Sequence, residues 1–171
     1  MAKKPQRALL QKLRLLVLDV DGTLTDGRLY YDAKGEAMKA FDVRDGHGLR
    51  LLNLAGVKLA VLTGRRADLV QQRGRELSIE HVIGSSRDKG KGIEQLCKDA
   101  AVPLSETAFM GDDVNDLPAL RKAALSCAPR DAAREVLAEV DWISGKDGGR
   151  GAVRELCELL LAARGEWPPP E

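Results

Sequence analysis

The chain has 171 residues, 44% of them hydrophobic and 31% charged, which is the composition of one globular domain with a single core. Its 27 basic and 26 acidic residues nearly cancel, so no overall charge favours nucleic acid or an anionic membrane as a partner. The apolar run 15–18 is too short for a signal peptide, and no apolar stretch approaches the roughly 20 residues that span a bilayer. These features predict a cytoplasmic protein that binds neither nucleic acid nor membranes.

The first half of the sequence alternates between short apolar runs and amphipathic segments. Residues 15–20 form an apolar run that ends in acidic residues, the pattern of a strand buried on both faces. Residues 28–41 place Asp-Ala-Lys-Gly between two extended stretches and predict a β-hairpin, which would form a small flap. The pattern then predicts a helix over 48–54, a strand over 57–62, a helix over 67–77 and a strand over 81–83.

The second half continues this alternation. It predicts helices over 92–101, 117–123, 132–138 and 152–163, separated by strands over 107–110, 125–128 and 141–143. Such alternation is typical of an α/β fold, here a Rossmann-like doubly wound parallel sheet. Residues 164–171 are predicted to be a loose tail.

The three cysteines, Cys97, Cys127 and Cys157, are odd in number, scattered and set among apolar neighbours. That arrangement favours buried, reduced thiols over a disulfide framework or a zinc site.

Four groups of polar residues follow predicted strands. The first is Asp19 and Asp21, which would share one face at the carboxyl edge of the sheet, where doubly wound sheets bind ligands. Two carboxylates side by side repel each other unless a hard divalent cation neutralises them. The alternative is an acidic turn closed by Gly22.

The second group is Thr63, at the end of the next strand, where its hydroxyl could bind a phosphoryl oxygen or simply cap the following helix. The third is Lys89, with Lys91 as the reserve candidate. A lysine at a helix start opposes the macrodipole and needs an anion nearby, although a solvated surface lysine is the alternative.

The fourth group contains Asp112, Asp113 and Asp116, at the end of another apolar strand. Two acidic strand ends in one parallel sheet can meet around one metal ion. At least one of Asp113 and Asp116 is expected to cap the helix that follows instead.

In these motifs the sequence resembles the phosphatases of the haloacid dehalogenase superfamily, over nearly its whole length. The matching motifs are residues 19–23 (Asp-Val-Asp-Gly-Thr), Thr63, Lys89 and residues 111–116 (Gly-Asp-Asp-Val-Asn-Asp). It is similar in particular to the 3-deoxy-D-manno-octulosonate 8-phosphate (KDO 8-phosphate) phosphatase family, through residues 26–27 (Asp-Gly), 41–46 (Phe-Asp-Val-Arg-Asp-Gly), 63–65 (Thr-Gly-Arg) and 148–155 (Gly-Gly-Arg-Gly-Ala-Val-Arg-Glu).

The resemblance implies a role for each motif in a magnesium-dependent phosphomonoester hydrolase. Asp19 would be the nucleophile that forms an aspartyl phosphate, and Asp21 the general acid and base. The Asp19 carboxylate, the Asp21 backbone carbonyl and Asp112 would hold Mg²⁺, while Thr63 and Lys89 would bind the phosphoryl oxygens. The substrate would be KDO 8-phosphate, an intermediate of lipopolysaccharide precursor synthesis.

The gaps between the motifs leave no room for a cap domain, so residues 1–171 are expected to form one phosphatase domain with an open site. An open site suits either a macromolecular substrate or an oligomer in which a neighbouring subunit covers the pocket. The resemblance implies a homotetramer in which the hairpins pack together and a neighbouring subunit covers the pocket. Arg65 and Arg150 are candidates for binding the sugar-acid carboxylate, or for surface ion pairs.

Three other functions fit parts of this pattern. A nonulosonic (sialic-type) acid 9-phosphate would use the same chemistry. A phospho-receiver domain also combines acidic residues, a threonine and a lysine around magnesium, but normally takes its phosphate-accepting aspartate from a later strand. A structural or regulatory oligomer would keep the motifs without turnover.

Overall fold

The computed structural model describes residues 5–168. Its strands are β1 (Leu15–Leu18), β2 (Tyr30–Asp32), β3 (Gly35–Met38), β4 (Lys58–Leu62), β5 (His81–Ile83), β6 (Thr107–Met110), β7 (Leu125–Ala128) and β8 (Trp142–Ile143). Its helices are α1 (Arg7–Lys12), α2 (Val43–Leu54), α3 (Asp68–Glu76), α4 (Lys89–Asp99), α5 (Leu117–Leu120), α6 (Arg134–Glu139) and α7 (Ala152–Arg164). Short 3-10 turns cover Leu104–Glu106 and Val114–Asp116.

Six strands form one parallel sheet in the order β5-β4-β1-β6-β7-β8. The central strand β1 is apolar throughout because both of its faces are covered. Leu16 and Leu18 belong to one hydrophobic cluster, whereas Leu15 and Val17 belong to the cluster on the opposite face. The predicted α/β fold with a doubly wound parallel sheet is confirmed.

Strand β1 pairs with β4 on one side and with β6 on the other. The chain therefore changes direction across the sheet at β1, and the carboxyl ends of these three strands meet at one edge. Ligands of doubly wound sheets bind at such a switch point.

The predicted hairpin is present as the antiparallel pair β2 and β3, with the turn between Asp32 and Gly35. Only this hairpin and α2 separate β1 from β4 in the part of the chain that the structure describes, and no cap domain is inserted there. Among the same residues, no helix has the length and apolar character needed to cross a bilayer.

Several element boundaries differ from those predicted. Helix α2 begins at Val43 rather than at residue 48, because the Asp42 side chain accepts a hydrogen bond from the Arg44 N–H and caps the helix. Helix α4 begins at Lys89 rather than at residue 92, since Asp88 caps it in the same way.

Both ends of the described chain dock on the domain. Helix α1, which the sequence pattern did not predict, is held by hydrogen bonds from Arg7 and Gln11 to the carbonyl of Ala163. At the other end, α7 extends to Arg164 and the Trp167 ring packs against the core, which differs from the loose tail expected over 164–171. Residues 169–171 lie outside the described residues.

Candidate active site

The candidate site lies at the sheet edge where β1, β4 and β6 end. Asp19 directly follows β1, Thr63 directly follows β4, and Asp112 lies two residues beyond β6. Asp19 and Thr63 are buried and Asp112 is half-buried. The fold therefore brings together polar residues that are far apart in the sequence.

A buried lysine joins two of the aspartates. Lys89, the first residue of α4, donates from Nζ to Asp19 Oδ1 at 2.7 Å and to Asp116 Oδ1 at 2.5 Å. All three side chains are almost fully buried, Lys89 being 3% exposed. The reserve candidate, Lys91, is 84% exposed and lies 3.9 Å from Asp88. Of the two lysines, the structure thus brings Lys89 into the site.

Three carboxylates, from Asp19, Asp112 and Asp116, each place an oxygen within 4.8 Å of the others. Burial, together with the charge of Asp116, raises the pKa of Asp19 to about 6 although Lys89 opposes the shift. Burial and the charges of Asp19 and Asp116 raise the pKa of Asp112 to about 8. Such a crowded, all-oxygen donor set fits a hard divalent cation, which would neutralise charges that repel one another.

Asp116 uses both of its oxygens inside the protein. Oδ1 accepts from Lys89, and Oδ2 accepts from the backbone N–H groups of Asp112 and Asp113 at 3.0 and 3.1 Å. Asp113 caps the 3-10 turn over Val114–Asp116 through its own side chain. These contacts indicate that Asp116 orients Lys89 and the loop of Asp112, while the free oxygens for a cation come from Asp19 and Asp112.

The Asp112 side chain packs on the backbone of the loop after β1. A Cβ atom at Gly22 would lie 2.0 Å from Asp112 Oδ2, so only glycine leaves space for this carboxylate. Thr23 donates from Oγ1 to Asp112 Oδ1 at 3.2 Å. The loop after β1 thus positions the carboxylate that follows β6.

A second glycine-rich loop, residues 147–151, covers this first loop. A Cβ atom at Gly148 would lie 1.7 Å from the carbonyl oxygen of Gly22, and Gly149 donates its N–H to the carbonyl of Thr23 at 2.9 Å. The buried Asp45 of α2 holds the start of α7 by accepting from the N–H groups of Gly151 and Arg154. Burial raises the pKa of Asp45.

Asp21 and Asp19 bind different lysines, Lys39 and Lys89 respectively. Because β1 ends at Leu18 rather than at Val20, the strand geometry expected to place both carboxylates on one face does not reach them. Asp21 Oδ1 instead accepts a hydrogen bond from Lys39 Nζ, on the segment that follows β3. The hairpin therefore contacts the candidate site directly.

Arg65 lies between the hairpin and Asp21. It donates from Nη2 to Tyr31 Oη at 2.7 Å and to Glu36 Oε2 at 3.2 Å, and its Nε lies 4.0 Å from Asp21 Oδ2. Its neighbour Thr63 accepts from the Arg65 N–H at Oγ1. Arg65 is thus at the rim of the site.

Arg150, the other arginine candidate, lies in the second glycine-rich loop. It is 59% exposed, and its Nη2 atom lies 3.3 Å from Asp26 Oδ2, at the end of the loop after β1. Arg150 therefore lies on the outer side of the two packed loops. Its ion pair is with Asp26 and not with the buried carboxylates of the site.

Sequence reasoning missed Lys39, Thr23 and Asp45 as contributors. Lys39 and Asp45 bind partners that are distant in the sequence, so no local sequence pattern reveals these contacts. Thr23 is part of the motif 19–23, so its position directly after Gly22 in that motif could have identified it.

The chain is similar to known proteins of one family. A family model for haloacid dehalogenase-like hydrolases matches residues 78–156. The 3-deoxy-D-manno-octulosonate 8-phosphate phosphatase KdsC of Escherichia coli strain K12 is 41% identical over 156 residues, which cover 91% of this chain and 83% of that protein.

Two solved structures are similar over most of their length. One is the 3-deoxy-D-manno-octulosonate 8-phosphate phosphatase of Moraxella catarrhalis in complex with magnesium, phosphate and KDO, at 39% identity and a TM-score of 0.90, covering 94% of this chain and 92% of that one. The other is the cobalt-bound form of the Haemophilus influenzae phosphatase, at 40% identity and a TM-score of 0.90, covering 92% of each chain. With this identity over nine-tenths of its length, the chain belongs to the 3-deoxy-D-manno-octulosonate 8-phosphate phosphatases of the haloacid dehalogenase-like hydrolases.

Proposed function

We propose that this protein is a magnesium-dependent phosphatase that hydrolyses KDO 8-phosphate to KDO and phosphate. The observation that carries the proposal is the buried cluster of Asp19, Lys89, Asp112 and Asp116 at the switch point of the sheet. Membership of the KDO 8-phosphate phosphatase family supports the substrate.

The first chemical step transfers the phosphoryl group to the protein. A carboxylate oxygen of Asp19 attacks phosphorus in line with the ester oxygen, the bond from phosphorus to that oxygen breaks, and Asp21 gives its proton to the departing alkoxide. In the second step Asp21 takes a proton from water, whose oxygen attacks phosphorus, and the bond to Asp19 breaks. Two displacements thereby replace one difficult hydrolysis.

A bound Mg²⁺ ion supplies positive charge that neutralises the phosphoryl oxygens. The proposed ligands are the Asp19 and Asp112 carboxylates and the backbone carbonyl of Asp21. Lys89 also compensates the charge on Asp19, and we propose that it and the Thr63 hydroxyl bind phosphoryl oxygens. Asp113 and Asp116 have supporting roles, since their hydrogen bonds hold the Asp112 loop and Lys89 in place.

Arg65 is the proposed partner of the sugar-acid carboxylate, and Arg150 the second candidate. The position of Arg65 at the rim, with Nε 4.0 Å from Asp21 Oδ2 and its side chain 38% exposed, supports this role. An Arg65→Ala variant should raise the Michaelis constant for KDO 8-phosphate and leave that for a phosphate ester without a carboxylate nearly unchanged. An unchanged Michaelis constant for KDO 8-phosphate would exclude this role.

A homotetramer is part of the same proposal. Four apolar side chains on or beside the hairpin are exposed and available for contact with another copy of the chain: Leu29, Tyr31, Met38 and Val43. Light scattering should give four times the mass of the chain for the wild type and a smaller assembly for Met38→Glu. A cytoplasmic location, supported by three free buried cysteines, predicts recovery of activity in the cytoplasmic fraction.

The test of the function is phosphate release from KDO 8-phosphate and from a panel of other sugar phosphates, including a nonulosonic acid 9-phosphate. Each substrate is assayed with magnesium and with a chelator, for the wild type and for Asp19→Asn. Selective, metal-dependent release that the variant loses supports both chemistry and substrate. Release from other sugar phosphates alone would refute the assignment of KDO 8-phosphate as the substrate. Release from none of them would refute the proposal that the protein is a phosphatase.

A further inference from the structure

The hairpin carries a network of alternating charges, with a buried lysine at its centre, that ends on Asp21. Lys39 Nζ donates to Asp21 Oδ1 and lies 2.5 Å from Glu36 Oε1, and its side chain is only 2% exposed. Glu36 Oε2 in turn accepts from Arg65 at 3.2 Å. Burial would raise the pKa of Glu36, but the hydrogen bonds and charges of Lys39 and Arg65 outweigh it and hold that pKa below its usual value.

A buried lysine must be matched by carboxylates, because an uncompensated ammonium group costs several kcal/mol to remove from water. Lys39 has two such partners, one on its own hairpin and one in the catalytic loop. Lys34, another lysine of the hairpin, is exposed to solvent. The position of Lys39 therefore fixes the distance between the hairpin and Asp21.

The contact divides the two oxygens of Asp21 between different tasks. Oδ1 is occupied by Lys39, whereas Oδ2 faces the rim of the site, where the nearest cation in an ion pair is Arg65 Nε at 4.0 Å. A carboxyl group that gives a proton to a leaving group needs one oxygen aimed at that group. Anchoring Oδ1 leaves Oδ2 as the oxygen that carries and transfers the proton.

We propose that Lys39 is a positioning residue that orients the Asp21 carboxyl group for proton transfer to the leaving group, and that the hairpin is thereby part of the catalytic machinery. This inference rests on the proposed function, since it assigns Asp21 its role in phosphoester cleavage. Lys39 itself touches neither the substrate nor the reacting atoms.

The effect should depend on how much the leaving group needs a proton. An alkoxide such as that of KDO is a poor leaving group and requires protonation, whereas p-nitrophenolate is stable without it. The ratio kcat/KM covers the steps up to release of the leaving group, so it excludes the later hydrolysis that all substrates share. Misplacing Asp21 should therefore lower kcat/KM for the alkyl ester far more than for the aryl ester.

The experiment measures kcat/KM for KDO 8-phosphate, for an alkyl sugar phosphate without a carboxylate and for p-nitrophenyl phosphate in the wild type, Lys39→Met, Lys39→Arg and the control Lys34→Met. The alkyl ester without a carboxylate should lose as much as KDO 8-phosphate in Lys39→Met, whereas a loss confined to KDO 8-phosphate would indicate that Lys39 acts through Arg65 and would overturn the inference. For Lys39→Met we expect a loss of about 100-fold with KDO 8-phosphate, the lower end of general acid contributions, and a much smaller loss with the aryl ester. Lys39→Arg should recover part of the ratio, and Lys34→Met should match the wild type.

All three substrates are assayed on one preparation, so the ratio of the alkyl-ester to the aryl-ester value does not depend on the fraction of folded enzyme. A Glu36→Gln variant, which keeps Lys39 but removes the negative charge of its second partner, should change the ratio in the same direction by less. Equal losses with all three substrates in Lys39→Met would overturn the inference and leave the phosphatase intact. A wild type that hydrolyses none of these esters would instead refute the proposed function.

Discussion

Replacing Lys89 by methionine should destabilise the metal-free protein strongly and in a pH-dependent way. Among the described residues, Lys89 is the only cation that forms ion pairs with Asp19 and Asp116, and the Asp112 carboxylate lies within 4.8 Å of these two acids. Methionine keeps most of the side-chain volume but leaves these buried acids uncompensated. Removing one partner of a buried pair costs about 3–5 kcal/mol, so we expect a loss of this size at pH 8.

The loss should be smaller at pH 5.5. The raised pKa values, about 6 for Asp19 and about 8 for Asp112, mean that both acids are largely protonated there and need less compensation. The charge on a lysine is complete at both pH values, so only the carboxylates change. We expect the cost of Lys89→Met to fall by at least about 1.4 kcal/mol, the equivalent of one pKa unit.

Urea unfolding in the presence of a chelator, followed by tryptophan fluorescence, measures both values. Lys91→Met is the matched control, since Lys91 is on the same helix and exposed; it should change stability by less than about 0.5 kcal/mol. A cost for Lys89→Met below about 1 kcal/mol at pH 8, or an equal cost at both pH values, would refute the charge-compensation account of this cluster.

Three further predictions follow from the same geometry. Gly148→Ala should lower the free energy of unfolding by about 1–3 kcal/mol and weaken magnesium binding in calorimetry, because its Cβ atom would lie 1.7 Å from the Gly22 carbonyl oxygen. The control Gly145→Ala should be nearly neutral, because the nearest atom to its Cβ would be 3.5 Å away. Asp45→Ala should cost about 1–3 kcal/mol in urea unfolding, since it leaves two backbone N–H groups at the start of α7 without an acceptor, and a cost near zero would exclude this capping role. The wild type in the presence of a chelator should lose stability as the pH rises from about 4 to 8, because Asp19 and Asp112 have raised pKa values in the folded state and hold protons there. Magnesium at 100 times its dissociation constant should restore about 2.7 kcal/mol. A stability that does not change with pH would contradict the raised pKa values.

The sheet could be predicted from the sequence because its strands carry their own signal. Segments 81–83, 107–110 and 125–128 have the predicted bounds, since each is a short, mainly apolar run between polar or loop-forming residues. Helices were harder to delimit, because caps and tertiary contacts set their ends. Gly46 and Gly48 weaken the local pattern of α2, yet Gly48 lies where a Cβ atom would approach the Arg154 side chain to 2.9 Å, so packing explains its presence.

The polar residues at the strand ends could likewise be predicted, since parallel strands bring their carboxyl ends to one edge. The different roles of the individual aspartates could not be predicted from the sequence. Asp113 and Asp116 have similar sequence surroundings, but only the folded chain buries Asp116 against Lys89 and leaves Asp113 exposed. Lys39 escaped notice because its partner is 18 residues away, across the hairpin.

The contact between the two glycine-rich loops has a consequence for the order in which the enzyme is made. A ribosome that has synthesised the first 140 residues has already produced Asp19, Lys89 and Asp112, but not the loop at Gly148 that covers the backbone of Gly22. The nascent chain therefore holds the reactive groups before it holds the segment that fixes their spacing. Phosphatase activity should begin only once the final helix, α7, has emerged and docked, so incomplete chains would not consume the cell's phosphate esters.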